Sequence, residues 1–325
     1  MSLFFMRHWL VIGQQLALVL AFTFSAQAAV NDVLMKGRVL VLGDSITDAG
    51  MYVNYLTERL ARQHGKLPDL ISIGLASETV SGLSEKAHPF PRPCVHERLG
   101  RALERIKPQV VIACYGMNDG IYHPLDDALM KAFQQGVNKL DEQCRAAGAV
   151  VIWLTPPPFD PLPVKGSLRA AGAEDYSYMT PFEGYAGVLE SFARWQLTIP
   201  KKTAQVIDLN GPMTAYIAKR RVSEANFKFS GDGIHPSDQG HLLMADLVLT
   251  ALGYPSVGED LGKATTAIHA DPLFEPIKKW RETRSNGWRD YVGYTRGKTV
   301  NRATVTDIEE KVSEMAKTIN AGLAK

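Results

Sequence analysis

The chain lacks most features that mark an unusual protein class. Only 3 of its 325 residues are cysteine, too few for a scaffold built on disulfides. Its 36 Lys+Arg nearly cancel its 34 Asp+Glu, leaving a formal charge of +2, so no basic excess directs it to nucleic acid. There is no internal repeat and no low-complexity tract. Beyond the N-terminus no apolar run has the length of a membrane span. A Gly-x-Ser-x-Gly elbow is missing, which disfavours an α/β-hydrolase. Gly-x-Gly-x-x-Gly and P-loop patterns are missing too, which disfavours a nucleotide cofactor. His88, His96, Asp232, His235 and His241 fall at no compact ligand spacing such as His-Glu-x-x-His, so a metal site is not expected.

What remains is an ordinary globular composition, 46% hydrophobic and 22% charged, of a length suited to one large domain or one domain with an appendage. Residues 1–28 read as a secretory signal. Arg7 and His8 form a basic start, an apolar stretch runs to Phe24, and Ala26-Gln27-Ala28 is a small-x-small cleavage site. The expectation is export, periplasmic or secreted, with a mature chain starting near Ala29 and no stable membrane insertion.

Five short apolar runs punctuate the rest: Val39–Leu42, Leu70–Ile73, Val110–Cys114, Val150–Leu154 and Val206–Leu209. Between them apolar residues recur at helical spacing over Met51–His64, Glu97–Lys107, Asp126–Ala147 and around Tyr185–Trp195. Strands alternating with helices predict a parallel sheet covered on both faces. If the helices after Cys94 and before Ala147 cover one face, they run parallel, which keeps Cys94 and Cys144 too far apart for a disulfide. Cys114 reads as a buried strand residue. Pro156–Pro181 is a long excursion after the fourth strand, and such loops often line sites. From 258 to 325 the pattern is helical and basic-aromatic. Its last helix carries Thr306 and Glu309 as a capping box and an apolar stripe of Ile308, Val312, Met315, Ile319 and Leu323. That stripe predicts a helix packed back on the main domain, with a dimer seam as the alternative; the oligomeric state stays open. The division is therefore 1–28 signal, 29–257 main domain and 258–325 helical extension.

An open parallel sheet places ligands outside the carboxyl ends of its strands, and the turns found there are chemically suggestive. They are Gly43-Asp44-Ser45 after the first strand, Ala76-Ser77-Glu78-Thr79 after the second and Gly116-Met117-Asn118-Asp119 after the third. Asp232-Gly233-Ile234-His235-Pro236 comes later. Ester hydrolysis needs a nucleophile, a base and donors for the oxyanion. Ser45 supplies a hydroxyl that is weak without a base, and His235 has the right intrinsic basicity. Asp232, three residues earlier, lies within reach of the other ring nitrogen. The Ser45 N–H, the Ser77 N–H and the Asn118 amide are candidate oxyanion donors, with Gly82 as the alternative to Ser77. Candidates for substrate contact are Asp48, His88, Arg92, Tyr122, His123 and Phe159.

Taken singly, each turn has a structural explanation as a helix cap or tight turn. Taken together, Gly43-Asp44-Ser45, Gly116-Met117-Asn118-Asp119 and Asp232–Pro236 resemble three blocks of the SGNH hydrolases, the GDSL esterases and lipases, over roughly residues 37–254. The resemblance implies a three-layer α/β/α flavodoxin-like fold with a five-stranded parallel sheet. It also implies a cofactor-free serine hydrolase with Ser45 as nucleophile, Asn118 in the oxyanion hole, and Asp232 and His235 completing the triad. The second block departs from the family, which has Gly where this chain has Ser77. Tyr115–Pro124 and Thr155–Pro161 are similar to a bacterial secreted subgroup regarded as carbohydrate-active esterases. The expected substrate is a small-molecule or glycan ester carrying an acetyl or short acyl group. A lipase, thioesterase or acyltransferase with the same triad, and a non-catalytic glycan-binding module on this scaffold, are the alternatives.

Overall fold

A computed structural model describes residues 34–35, 37–201, 204–293 and 305–324; the signal sequence read over 1–28 lies outside the described residues. Five parallel strands form one sheet: β1 (Val39–Gly43), β2 (Leu70–Ser72), β3 (Val110–Cys114), β4 (Val150–Leu154) and β5 (Gln205–Ile207), in the order β2-β1-β3-β4-β5. This is the flavodoxin-like order. Every residue of β1, β2 and β3 is buried, so both faces of the central strands are covered, as their unbroken apolar runs require.

The helices are α1 (Ser45–Ala49), α2 (Met51–His64), α3 (Leu99–Ile106), α4 (Asp127–Ala146), α5 (Tyr185–Gln196), α6 (Asn210–Ser223) and α7 (Asp238–Ala251), followed by α8 (Leu261–His269), α9 (Phe274–Val292) and α10 (Val305–Leu323). The helix expected from Glu97 starts only at Leu99, because Val95–Glu97 winds as a 3₁₀ turn. The fifth strand ends at Ile207 rather than Leu209, whose N–H turns to Thr155 Oγ1 (2.8 Å) as α6 begins. All three cysteines are free thiols. Among the described residues no helix is long and apolar enough to cross a membrane.

Strand register decides where the site forms. Gly43 pairs with Cys114, and Cys114 with Leu154, while Leu75 N–H donates to Gly43 O at 2.9 Å. The turns after β1, β2 and β3 therefore leave the sheet at one rim.

The last three helices close the other weak point of an open sheet, its edge. Strand β2 is an edge strand, and α9 packs on it and on α2 and α3. Ser285 Oγ accepts from Ser72 N–H (3.1 Å), and Arg284 donates to Leu70 O (3.2 Å). Helix α3 returns the favour. Arg101 donates to Val292 O and Gly293 O, both at 3.0 Å, and Arg105 to Tyr291 O, capping the C-terminus of α9. Helix α10 lies on α9 through buried Ile308, Val312 and Ile319. The capping box expected for α10 does not form. Thr306 is already inside the helix, and the Glu309 carboxylate turns to α9, accepting from Trp288 Nε1 (2.7 Å) and Arg284 Nε (3.0 Å).

Ser285→Ala should cost about 1–3 kcal/mol, the usual effect of stranding a buried N–H, visible as a lower midpoint in denaturant unfolding. An unchanged midpoint would mean that the β2 edge does not need α9.

Candidate active site

Asp44, not Ser45, caps α1, accepting from Ile46 N–H at 3.0 Å. That leaves the Ser45 hydroxyl free for another partner. It meets His235 Nε2 at 2.8 Å, across 190 residues of chain. His235 Nδ1 in turn lies 2.6 Å from Asp232 Oδ2. The second carboxylate oxygen of Asp232 accepts from the N–H groups of Ile234 (2.9 Å) and His235 (2.8 Å) and from Ser230 Oγ (2.9 Å). With Nδ1–H donated to the carboxylate, Nε2 is the acceptor facing the serine, the tautomer a general base needs.

The local chain explains how Asp232 and His235 reach each other. Gly233 adopts φ +82°, and a Cβ there would sit 2.7 Å from Asp160 O. Asp160 N–H donates to Gly233 O at 2.9 Å, and its carboxylate is gripped by Arg221 Nη2 (2.7 and 2.9 Å). The proline-rich excursion after β4 thus clamps the turn that carries Asp232 and His235.

These contacts shift ionisation in opposite directions. Burial works to raise the Asp232 carboxyl, but the side-chain and backbone hydrogen bonds from His235, with that of Ile234, hold it well below the usual carboxylate range. The Asp232 hydrogen bond raises the His235 imidazole above its ordinary value, against burial. Next to Ser45, burial pushes the Asp44 carboxyl up to about 7, opposed by the Ile46 N–H. His241, stacked on Tyr52, is pushed down to about 4 by burial and stays neutral.

The oxyanion candidates sit on two neighbouring turns. Ser77 adopts φ +67°, a left-handed conformation that costs an L-residue about 1–2 kcal/mol and suits the glycine usual at this position. Among the described residues no acceptor meets the N–H of Ser45 or Ser77. Asn118 is oriented at both ends of its amide: Tyr122 Oη donates to its Oδ1 (3.1 Å), and its Nδ2 donates to Glu78 O (3.3 Å). Asp119 ties the two turns together by accepting from the N–H groups of Val80 and Ser81, both at 2.8 Å. Gly82 lies past that clamp, against Cys94 Sγ, so Ser77 is the better-placed backbone donor.

The six substrate-contact candidates separate into two sets. Four are supports. Tyr122 is 1% exposed and braces Asn118; Arg92 is buried over the Tyr122 ring (5.5 Å) with Nε and Nη2 each 2.6 Å from a Glu85 carboxylate oxygen. Phe159 is buried edge-on to Tyr185 (5.6 Å), and Asp48 pairs with Arg289 (2.6 Å). Burial and prior partners take these four away from a ligand. His88 and His123 are half-buried at the surface: His88 packs on Phe90 (4.6 Å) and Tyr178 (5.7 Å), His123 on Tyr176 (4.9 Å).

Sequence reasoning missed the buried Glu78–Arg98 pair. Its two bonds of 2.6 Å are joined by Tyr115 Oη at 2.6 Å. The only signal was an arginine at the start of an otherwise amphipathic helix. The group fixes the residue whose carbonyl holds Asn118. Among the described residues no group of three His, Cys, Asp or Glu side chains is arranged to hold a metal ion.

Solved structures with related architecture include an acetylxylan esterase from Geobacillus stearothermophilus. It is 18% identical, with 69% of this chain and 97% of that one covered at a TM-score of 0.44. Another acetyl xylan esterase is 20% identical over 66% of this chain and 98% of its own, at a TM-score of 0.43. No curated protein matches the chain. A family model, in contrast, runs from residue 41 in β1 to residue 243 in α7, a span that contains every turn meeting at the rim. The chain belongs to that family, the GDSL-like lipases and acylhydrolases, and is a hydrolase of carboxylic esters.

Proposed function

We propose that the protein is an exported serine esterase that removes acetyl or other short acyl groups from a carbohydrate through an acyl-enzyme on Ser45. The observation that carries the catalytic part is the unbroken chain Asp232–His235–Ser45, with hydrogen bonds of 2.6 and 2.8 Å.

In this reading Ser45 Oγ attacks the ester carbonyl carbon while His235 Nε2 takes its proton. The carbonyl oxygen gains the charge and is met by the N–H groups of Ser45 and Ser77 and by Asn118 Nδ2, donors fixed before the reaction begins. Collapse of the tetrahedral intermediate breaks the bond to the alcohol oxygen, which receives the proton from His235. Water, deprotonated by the same nitrogen, then attacks the acyl-serine carbonyl, and the acid leaves with the Ser45 oxygen reprotonated. Asp232 stabilises the imidazolium in both halves.

The carbohydrate reading rests on the exposure of His235 and on exposed aromatic side chains in the loops after β2 and β4. The His235 side chain is 43% exposed, an open setting that admits a bulky alcohol. Phe90 and Tyr178, each 37% exposed, stand with His88. Aromatic faces beside polar groups suit sugar rings. Export rests on the signal-like sequence at residues 1–28.

On a panel of acetylated glycans and model esters of increasing acyl length, activity should peak at acetyl or similarly short chains, with acylated glycans among the good substrates. Ser45→Ala should reduce it by at least about 10³-fold. Preference for long chains would replace the carbohydrate reading by a lipase, and activity surviving in Ser45→Ala would remove the mechanism.

The raised His235 imidazole has a sign that can be checked. Catalysis needs the unprotonated ring, so kcat/KM should rise with pH along a limb centred above the unperturbed value of about 6.5. Asp232→Asn takes away the carboxylate that raises it. The limb should move to lower pH while kcat falls by about 10⁴-fold. A limb that stays in place would show that Asp232 does not set the basicity of His235.

A further inference from the structure

Helix α9 covers the β2 edge, and its last turn also reaches toward the site. Arg289 Nη1 lies 2.6 Å from Asp48 Oδ1, and the two side chains are only 22% and 25% exposed. Asp48 stands in α1, three residues after Ser45. Its other oxygen accepts the N–H of Ala76 at 3.2 Å. The next peptide N–H along the chain is that of Ser77, the donor assigned to the oxyanion.

Nothing loose separates α1 from that turn. A Cβ on Gly74 would sit 2.5 Å from Asp48 N and from the Thr47 carbonyl carbon, so the chain after β2 lies directly on α1. Glu78 N–H closes the turn on Leu75 O (3.1 Å), and Arg92 Nη1 reaches Ser77 O (3.4 Å). Ser77 nevertheless keeps a left-handed φ that its side chain disfavours. Such a conformation persists only where its surroundings hold it.

We propose that Arg289 is a positioning residue of the esterase: through Asp48 it anchors the Leu75–Ala76 peptide and so sets the orientation of the next one, Ala76–Ser77, which presents the Ser77 N–H to the oxyanion. The proposal rests on the hydrolase mechanism above. Two physical effects support it. The guanidinium fixes the rotamer of Asp48, and so the acceptor on which the Ala76 N–H depends. It also neutralises a carboxylate standing close to where negative charge develops; unpaired, that carboxylate would oppose the oxyanion. Helix α9 is a firm base for such a strut. Arg281, two turns earlier, donates to Gly50 O (3.4 Å) just past α1 and to Asn54 Oδ1 (2.7 Å) in α2, and α3 caps the terminus of α9 beyond Arg289. Arg289 lies outside the segment matched by the family model, so the site borrows a support from the C-terminal helices.

The test compares Arg289→Met, Arg289→Lys, Asp48→Asn and the double variant Asp48→Asn/Arg289→Met with wild type and Ser45→Ala in the full chain. A short-chain ester is the substrate, and kcat, KM and the thermal midpoint are read for each. Arg284→Met is the control: it severs α9 from Asp69 (2.6 Å) and Glu309 (3.0 Å) at the opposite end of β2. Removing an oxyanion donor costs about 10²–10³-fold in kcat, and displacing one costs less. Arg289→Met should therefore lower kcat about tenfold with KM within about twofold, Arg289→Lys should recover most of it, and the double variant should be no worse than the poorer single one. Arg284→Met should lower the thermal midpoint and keep kcat. Should Arg289→Met fail to fold, Asp48→Asn from the other side of the pair carries the same expectation. Wild-type kcat in Arg289→Met or Asp48→Asn, or equal kcat losses in Arg289→Met and Arg284→Met, overturns the strut while the hydrolase stands. Activity indifferent to Ser45→Ala overturns the hydrolase, and the strut with it.

Discussion

A hydrogen bond of 2.8 Å joins Ser45 Oγ to His235 Nε2 across 190 positions of sequence, and the proposed chemistry of this protein depends on its being made. A serine hydroxyl without that partner is a poor nucleophile. Neither residue can bring the bond about alone. It requires that α1 start where β1 stops, that the turn holding Asp232 and His235 reach the same rim, and that both stay there when an ester arrives. Parallel pairing meets the first requirement, because the registers of β1, β3 and β4 end their strands level. The Asp160–Arg221 clamp meets the second by fastening the turn around Gly233 to the excursion after β4.

The third requirement falls to buried charge. Asp119, Glu78, Glu85 and Asp160 are all buried, and each accepts hydrogen bonds from backbone N–H groups, an arginine or a tyrosine. Breaking such a group by removing one partner is costly, because the remaining charge has no water to turn to. The same property makes these groups stiff connectors between loops that share no secondary structure. Asp119 joins the turns of Asn118 and Val80, and Glu78 ties the second turn to α3 through Arg98; the half-buried Asp48 joins α1 to α9 through Arg289. Loops that present oxyanion donors gain most from such fixing, since catalysis by preformed dipoles depends on their not having to move.

The elements that could be read from sequence are those dictated by local pattern. Val110–Cys114 and Val150–Leu154 form strands over the residues where the apolar runs lie, and Met51–His64 is a helix ended at Gly65. The turns carrying Ser45, Asn118, Asp232 and His235 stood out because their residue types serve a recognisable reaction and each follows a strand or precedes a helix. The supporting residues gave no such signal. Arg92 and Tyr122 look like loop residues fit for a ligand, and only the fold buries one over the other. Glu309 fits the spacing of a helix cap, but a buried tryptophan and an arginine on α9 compete for its carboxylate and win. Arg289 and Asp48 lie 241 positions apart, beyond the reach of any periodicity. Long-range pairing of charges is set by topology, and the sequence carries no local record of it.

The account stands on Ser45 being activated by His235, and a covalent probe reads that directly. Treatment with a fluorophosphonate, followed by peptide mass spectrometry, should place a single adduct on Ser45 in the wild-type chain. Labelling should be slowed by at least about 10³-fold in His235→Ala. An unlabelled Ser45 in the folded wild type, an adduct on another residue, or labelling unaffected by loss of the imidazole would contradict it.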